Sequence, residues 1–389
     1  MSVSYWLDRA KARSPQRVDA VIIGAGIAGH SSAYWLEKEF PDFKIAVLEK
    51  GLRGSGATGR NAGFITCGSV EHFSRLVQTH GEESAREMWQ YSEKNLSLLK
   101  EELNLSLDKH GFEQKGSFSL ASSEHELKEL KESALLMKKL NISVEVLDEK
   151  ECAQRLGCEG FKGGVKYCDD ASINPLLLID EIHGRLSPHV SFYENHEVFS
   201  IEKKGQTRLV RTNQGSFEAD VVIMATNGYS ALLHPFFKGK IEPTRGQILA
   251  TEAVAPFMEG PSYANFVLDY FRQLPSGELI IGGFRQLDKQ GEVGYSDETN
   301  PIIHSALEKF IEDHLPRLKN KKITHKWSGV MGFSFDGQPI IGSLADDPQV
   351  YFLGGFTAHG LGLAFHGAKT LSDILQGRSC PEFLNARRI

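Results

Sequence analysis

An α/β fold of two interleaved domains follows from three features of this 389-residue sequence. A β-branched run, Val18-Asp-Ala-Val-Ile-Ile23, ends in Gly24, and a helix-competent stretch then leads to a second strand-like run, Lys44-Ile-Ala-Val-Leu48. Strand, glycine turn, helix and strand within about 30 residues make a βαβ unit, so the first sheet is expected to be parallel. The order strand, glycine-rich turn, helix returns near the C-terminus, where Tyr351-Phe-Leu353 runs into Gly354. Between the two ends lies a second β-rich region, residues 240–284, suited to a sheet that walls a substrate cavity.

Taken in order, the first helix spans Ile27 to Leu36 and is stopped by Pro41, which lacks the N–H a helix needs. From Gly81 the apolar spacing becomes helical: Ala85, Met88, Ser92, Leu96, Leu99 and Leu103 lie three, four or seven apart, and Leu127, Leu130, Ala134 and Met137 repeat the pattern. This helical insert is a candidate cap, with a strand-like segment, Gly116-Ser-Phe-Ser-Leu120, between its helices. Residues 191–223 read as several short strands ending in Val221-Val-Ile-Met-Ala225. Further strand runs lie around 246–251, 266–272 and 278–281. The last helix carries Leu361, Ala364, Ala368, Leu371 and Leu375 on one face. No repeat or long linker separates these parts, so the chain is expected to cross between domains more than once.

Composition removes several function classes. With 44 Lys+Arg against 50 Asp+Glu the formal charge is −6, and 41% of residues are hydrophobic, an ordinary globular balance. Without clustered positive charge, nucleic acid is not an expected partner. The opening segment, Met1-Ser-Val-Ser-Tyr-Trp-Leu-Asp-Arg, carries charge where a secretory peptide is apolar, and no later run reaches the roughly 18 apolar residues of a membrane span. A cytoplasmic location is therefore expected. Five cysteines without a Cys-x-x-Cys signal neither a disulfide framework nor a zinc site. His359 and His366 are seven apart and no His-Glu-x-x-His occurs, so no metal site is expected; the sequence also lacks a Gly-x-Ser-x-Gly elbow. The 38 glycines, about 10% of the chain against about 7% in general, fall in short clusters.

The first cluster, Gly24-Ala-Gly26-Ile-Ala-Gly29, has dinucleotide spacing. Gly24 permits the tight turn, Gly26 lets backbone approach a pyrophosphate, and Gly29 allows close helix packing, while the helix N-terminus offers N–H groups and a positive dipole. Glu49, at the end of the next strand, has the chemistry to accept from a ribose 2′-hydroxyl. The second cluster, Gly54-Ser-Gly-Ala-Thr-Gly-Arg-Asn-Ala-Gly63, offers small hydroxyls and bare backbone, with Arg60 to offset negative charge. Here the sequence resembles the FAD-dependent D-amino acid oxidase superfamily, whose second glycine loop reads G-A-S-G-R-N-x-G, with Thr58 in place of its Ser. Ala225-Thr-Asn-Gly228 and Gly354-Gly-Phe-Thr-Ala-His-Gly-Leu-Gly362 look like two further segments of that family. Among its members the chain resembles the gamma-glutamylputrescine oxidase-like and glycine oxidase-like enzymes, in Ser4-Tyr5, His80-Gly-Glu-Glu-Ser-Ala-Arg86, Leu268-Asp-Tyr-Phe-Arg272 with the later Gly282-Gly283, and His359-Gly360.

The resemblance implies a Rossmann-like FAD-binding domain with a mixed-sheet substrate domain, of glutathione reductase and D-amino acid oxidase type. The FAD domain is expected to take residues 1–80, 145–230 and 325–389, and the substrate or cap domain 81–144 and 231–324. Contacts to a non-covalent FAD are implied for Gly24, Gly26, Ile27, Ala28 and Gly29; for Glu49 and Lys50; and for Ser55, Gly56, Ala57, Thr58, Arg60, Asn61, Ala62 and Gly63. They are implied also for Val198, for Thr226, Asn227 and Gly228, and for Gly355, His359, Gly360, Leu361 and Gly362. The implied reaction oxidises the C–N bond of an amine or amino acid: hydride passes to flavin N5, the imine is hydrolysed, and O₂ takes the electrons as H₂O₂. A dehydrogenase with another acceptor, or a non-catalytic flavin subunit of a larger complex, is the alternative. Tyr270, Arg272 and His359 are the candidate catalytic residues; Tyr270 and Arg272, two apart, share one strand face, and Arg272 suits a substrate carboxylate. Two departures stand out. Where glycine oxidases carry Gly-Leu-Arg-Pro this chain has Trp327-Ser-Gly-Val-Met-Gly332, and where sarcosine oxidases place an oxygen-activating Lys it has Ile280.

Overall fold

The computed structural model describes Tyr5, residues 14–265 and residues 268–389. Ser4 of the Ser4-Tyr5 pair, most of the charged opening segment, and residues 266 and 267 of the expected 266–272 strand lie outside the described residues. The chain divides into two compact units: one of residues 1–59, 175–244 and 330–389, the other of residues 60–174 and 245–329.

The first unit is built on a six-stranded sheet in the order Ile340–Ser343, Val350–Gly354, Val221–Met224, Ala20–Ile23, Ile45–Leu48, Val190–Tyr193. All neighbours pair in parallel except Ile340–Ser343, which is antiparallel to Val350–Gly354. Strands buried on both faces read as continuous apolar runs rather than alternating ones, which is why Ala-Val-Ile-Ile and Ile-Ala-Val-Leu are legible as strands. The helix Ile27–Glu39 is buried over most of its length rather than along one stripe. It packs against the helix Gly360–Leu375, with Trp35 and Phe365 ring centroids 5.3 Å apart. A four-stranded sheet, from Gln16–Arg17 through Ser216–Ala219 and Thr207–Thr212 to Val198–Lys204, joins the same core through Val210, Phe217 and Ala219.

The second unit carries an eight-stranded mixed sheet in the order Ile323–Ser334, Ile241–Thr251, Leu279–Gly282, Asp269–Gln273, Ser262–Ala264, Ser117–Ala121, Gly163–Tyr167, Val144–Asp148. Phe118, Phe271, Leu279 and Ile281 pack from it onto Leu307, Phe310 and Ile311 of the helix Pro301–His314. The expected insert helices are present. Val70–Glu102 is kinked at Gly81 (φ 82°), and Ala85, Met88, Ser92, Leu96 and Leu99 are buried along it. Glu124–Lys139 buries Leu127, Leu130, Ala134 and Met137.

The division differs from the expected one in residues 60–80, 145–174 and 325–329, which fall in the second unit, and in residues 231–244, which fall in the first. The reason is strand pairing: Gly163–Tyr167 lies between Ser117–Ala121 and Val144–Asp148, and Phe64–Ile65 pairs with Ala171–Ser172. Among the described residues no helix is long and apolar enough to cross a membrane, and no group of three His, Cys, Asp or Glu side chains is placed to hold a metal ion.

Candidate active site

In the first unit each of the three spaced glycines stands where a Cβ would collide with its surroundings. Gly24 has φ +106°, and a Cβ there would lie 2.7 Å from the Ala225 carbonyl oxygen. A Cβ on Gly29 would fall 1.8 Å from the Gly24 carbonyl oxygen, so the helix rests directly on the turn that opens it. A Cβ on Gly26 would come 2.8 Å from Thr58 Oγ1. That hydroxyl accepts the Ile27 N–H at 2.9 Å, one of the donors that a helix N-terminus leaves without intrahelical partners. Thr58 thus ties the second glycine loop to the first; Ala28 follows, buried in the helix.

Glu49 is buried, and its two oxygens accept the Ala25 and Gly51 N–H groups, each at 2.9 Å. A carboxylate offers about four lone-pair positions, so a hydroxyl donor can still be accommodated. Lys50 Nζ lies 3.6 Å from the ring centroid of Tyr229. Ser55 donates its N–H to Leu52 O, and Gly54 to Ala25 O; a Cβ on Gly56 would meet nothing within 4 Å. Ala57 opens a short 3₁₀ turn. Val198 is half-buried at the irregular start of its strand.

The C-terminal loop belongs to the same unit. Asn227 Oδ1 accepts the Gly355 N–H at 3.0 Å, Thr226 Oγ1 shares a hydrogen with Ser230 Oγ at 2.8 Å, and a Cβ on Gly228 would lie 2.7 Å from the Met331 carbonyl oxygen. Thr357 and Ala358 are both left-handed, with φ 47° and 70°. Two successive non-glycine residues there store strain of a kind that clusters at functional sites. The strained pair delivers the chain to His359, the N-cap of the helix that starts at Gly360 and buries Leu361 and Gly362. Nothing in the side-chain chemistry of Thr357 or Ala358 announces positive φ in the sequence.

These features fit a dinucleotide: a turn with bare backbone, a helix N-terminus packed onto it, a carboxylate at the neighbouring strand end, and a second helix N-terminus on a tightly held glycine loop.

In the second unit the remainder of the second glycine loop is held by its own contacts. Asn61 Oδ1 accepts the Gly63 N–H at 2.7 Å, Ala62 is buried, and Trp327 Nε1 donates to Arg60 O at 3.1 Å. The Arg60 guanidinium, expected to offset cofactor charge, is engaged by Asp297 and by Ser328 O at 2.9 Å.

Tyr270 and Arg272 lie on one face of the strand Asp269–Gln273, while Phe271 on the other face enters the core. Arg272 is 3% exposed. It donates to Ile173 O at 3.0 Å and to Gly63 O at 3.4 Å, and its buried Nε has no partner. Among the described residues it makes no ion pair. Glu113 exerts an attraction on it but is bonded to Lys115 at 2.5 Å. Burial pulls the Arg272 pKa down to about 10, so it stays cationic at neutral pH. Ile280 stands opposite Arg272, and Gly282 opposite Tyr270. Phe64 meets Tyr270 and Tyr263 edge-on at 6.0 and 5.4 Å. Burial raises the Tyr270 pKa, which keeps the phenol a neutral hydrogen-bond donor.

A family model described as FAD dependent oxidoreductase (DAO) matches residues 19–374. A probable oxidoreductase, OrdL, of Rhizobium meliloti is 26% identical over 377 residues, 94% of this chain and 84% of its own length. The gamma-glutamylputrescine oxidoreductase of Escherichia coli is 24% identical over 370 residues, 92% of this chain and 84% of its own. The crystal structure of glycine oxidase from Geobacillus kaustophilus superposes with a TM-score of 0.79 at 21% identity, covering 94% of this chain and 96% of that one.

Proposed function

The chain belongs to the DAO family of FAD-dependent oxidoreductases, and on that premise we propose that it oxidises the C–N bond of an amine or amino acid carrying a carboxylate, which Arg272 holds. One observation carries the carboxylate: a guanidinium that is buried, cationic at neutral pH and without an ion partner among the described residues. A buried charge is costly unless paired, and a planar guanidinium matches a carboxylate in two parallel hydrogen bonds. Two backbone carbonyls fix its orientation, and the Nε is left with a proton to give.

When bound, FAD supplies the two-electron acceptor for the C–H bond beside nitrogen. The turn at 24–29, Glu49 and the loop at 355–362 would hold it non-covalently; no Cys lies between residues 327 and 362 to make a cysteinyl link. What remains for the side chains is placement. Arg272 would fix one end of the substrate, Tyr270 would offer a neutral hydroxyl, and Phe64 would wall the site against water. O₂ is the proposed electron acceptor. A dehydrogenase is the second reading, supported by the apolar Ile280 opposite Arg272.

The test is anaerobic bleaching of the flavin by a panel of amines, N-methyl amino acids and D-amino acids, in the native protein and in Arg272→Leu. Carboxylate-bearing members should bleach the native flavin, and the variant should need at least about tenfold more of them, the loss of a charge-assisted pair. Bleaching by amines without a carboxylate equally well, or an unchanged requirement in the variant, sinks the assignment.

A further inference from the structure

Taking Tyr270 and Arg272 as the substrate-binding pair proposed above, we infer that Asp269 is a positioning residue, whose carboxylate ties Asn265, ahead of its own strand, to Phe284, just past the neighbouring strand, and so fixes how that pair is presented. The sequence sets Leu268-Asp-Tyr-Phe-Arg272 ahead of Gly282-Gly283, and the structure matches them residue against residue. Tyr270 pairs with Gly282, where a Cβ would lie 2.4 Å from the phenol oxygen, so the end of the tyrosine ring fills the space a side chain would need. One residue later Gly283, at φ +133°, passes over Asp269: a Cβ there would lie 2.6 Å from both its Cα and its Oδ1.

That approach brings the next N–H, of Phe284, to Asp269 Oδ1 at 2.7 Å. Asp269 Oδ2 accepts from Asn265 Nδ2. Both donors belong to residues at positive φ, 49° for Asn265 and 56° for Phe284; asparagine enters this region readily, whereas a bulky residue such as phenylalanine keeps it only where its surroundings impose it. Asp269 is fully buried, and a carboxylate survives burial only with donors on its oxygens. Burial raises its pKa to about 6, while the bonds from Asn265 and Phe284 pull it down; Arg285 acts instead on Tyr270. A protonated carboxyl sets an O–H against one of two N–H donors, so one tie is lost as pH falls through about 6.

The experiment uses the FAD-loaded enzyme with two readouts: amide hydrogen exchange of residues 283–286, corrected for intrinsic rate, and binding of acetate, a carboxylate probe of Arg272, read from the flavin absorbance. Asp269→Ala should speed exchange there and weaken acetate binding about tenfold, the order of loss that small misplacement causes. The native enzyme should show the same change between pH 7 and pH 5, and Asp269→Asn, with no carboxyl to titrate, should show none. If Asp269→Ala does not fold, the native pH series and Asp269→Asn decide alone. Native exchange at 283–286 that ignores pH, or an Asp269→Asn profile identical to the native one, overturns the clamp. Acetate that fails to bind the native enzyme while the exchange pattern holds overturns the Arg272 assignment and leaves the clamp standing.

Discussion

His30 follows the last glycine of the first turn and is fully buried. Its Nδ1 lies 3.0 Å from Gly26 O, which fixes the proton on that nitrogen, and its ring leans on Phe192 with centroids 4.8 Å apart. Nε2 is buried without a partner, and burial lowers the pKa from 6.5 to about 4. The sign is set by which state binds the proton: between pH 6.5 and 4 the unfolded chain takes it and the folded chain refuses it, so stability falls as pH falls through that window and levels off below it. A shift of this size is worth about 3 kcal/mol at the acid end and about 2 kcal/mol between pH 7 and 5. Burial lowers His183 as well, adding to the slope. Urea midpoints at pH 7 and 5 should therefore differ in the native protein and converge markedly in His30→Phe; equal slopes in the two would show that His30 is not the group responsible. At this scale Glu49 was legible from its distance along the chain, because the strand end fixes it beside the turn. The engagement of Arg60 with Asp297, 237 residues away, was not, because no local pattern encodes a long-range ion pair.

Among the elements, glycine spacing was the most readable signal, and the structure separates the glycines that serve the fold from those left to a ligand. Gly29 admits no Cβ, since the helix Ile27–Glu39 rests on the Gly24 carbonyl 1.8 Å from where that atom would stand. Gly56 has open space around the same position and no positive φ. Gly29→Ala should therefore lift the helix off its turn, at a cost of about 1–3 kcal/mol typical of overpacking, with loss of FAD affinity as a consequence. Gly56→Ala should leave the apoprotein melting point unchanged and weaken only FAD binding. Apoprotein melting and FAD titration of both variants check this; a destabilised Gly56→Ala apoprotein would mean that this glycine too belongs to the fold. Period-four burial made the insert helices legible, since apolar side chains must line the buried stripe. The helix Pro301–His314 carried an equal signal, with Asn300 accepting the Ile302 N–H at 3.1 Å and Ile303, Leu307, Phe310 and Ile311 buried, but no chemistry-bearing motif drew attention to it. The strain at Thr357 and Ala358 had no signal at all, because neighbours rather than side-chain type set those dihedrals.

For the molecule as a whole, interleaving was legible and the crossing points were not, since Phe64–Ile65 finds Ala171–Ser172 across a sequence separation no window spans. Interleaving has a mechanical consequence in the first unit. Its six-stranded sheet places Val350–Gly354, which comes late in the chain, between the antiparallel Ile340–Ser343 and the parallel Val221–Met224, and the helix Gly360–Leu375 covers the glycine-turn helix through Trp35 and Phe365. A chain ending at residue 344 loses the buried side chains of Val350, Phe352, Leu353, Phe365 and Leu371. At roughly 2 kcal/mol for each large apolar side chain buried, that is about 10 kcal/mol, the same size as the entire stability of an ordinary domain. The truncation also strips Val221–Met224 of its parallel neighbour, exposing a sheet edge of the kind that invites aggregation. Such a chain should lose the cooperative melt of the first unit and fail to retain FAD, although the turn at 24–29, Glu49 and the second glycine loop are all still present in its sequence. Far-UV melting and flavin content of the truncated protein decide it. Retention of stoichiometric FAD would mean that residues 16–60 and 190–224 make a self-sufficient nucleotide cradle, and that the late strand and helix are additions to a fold already complete.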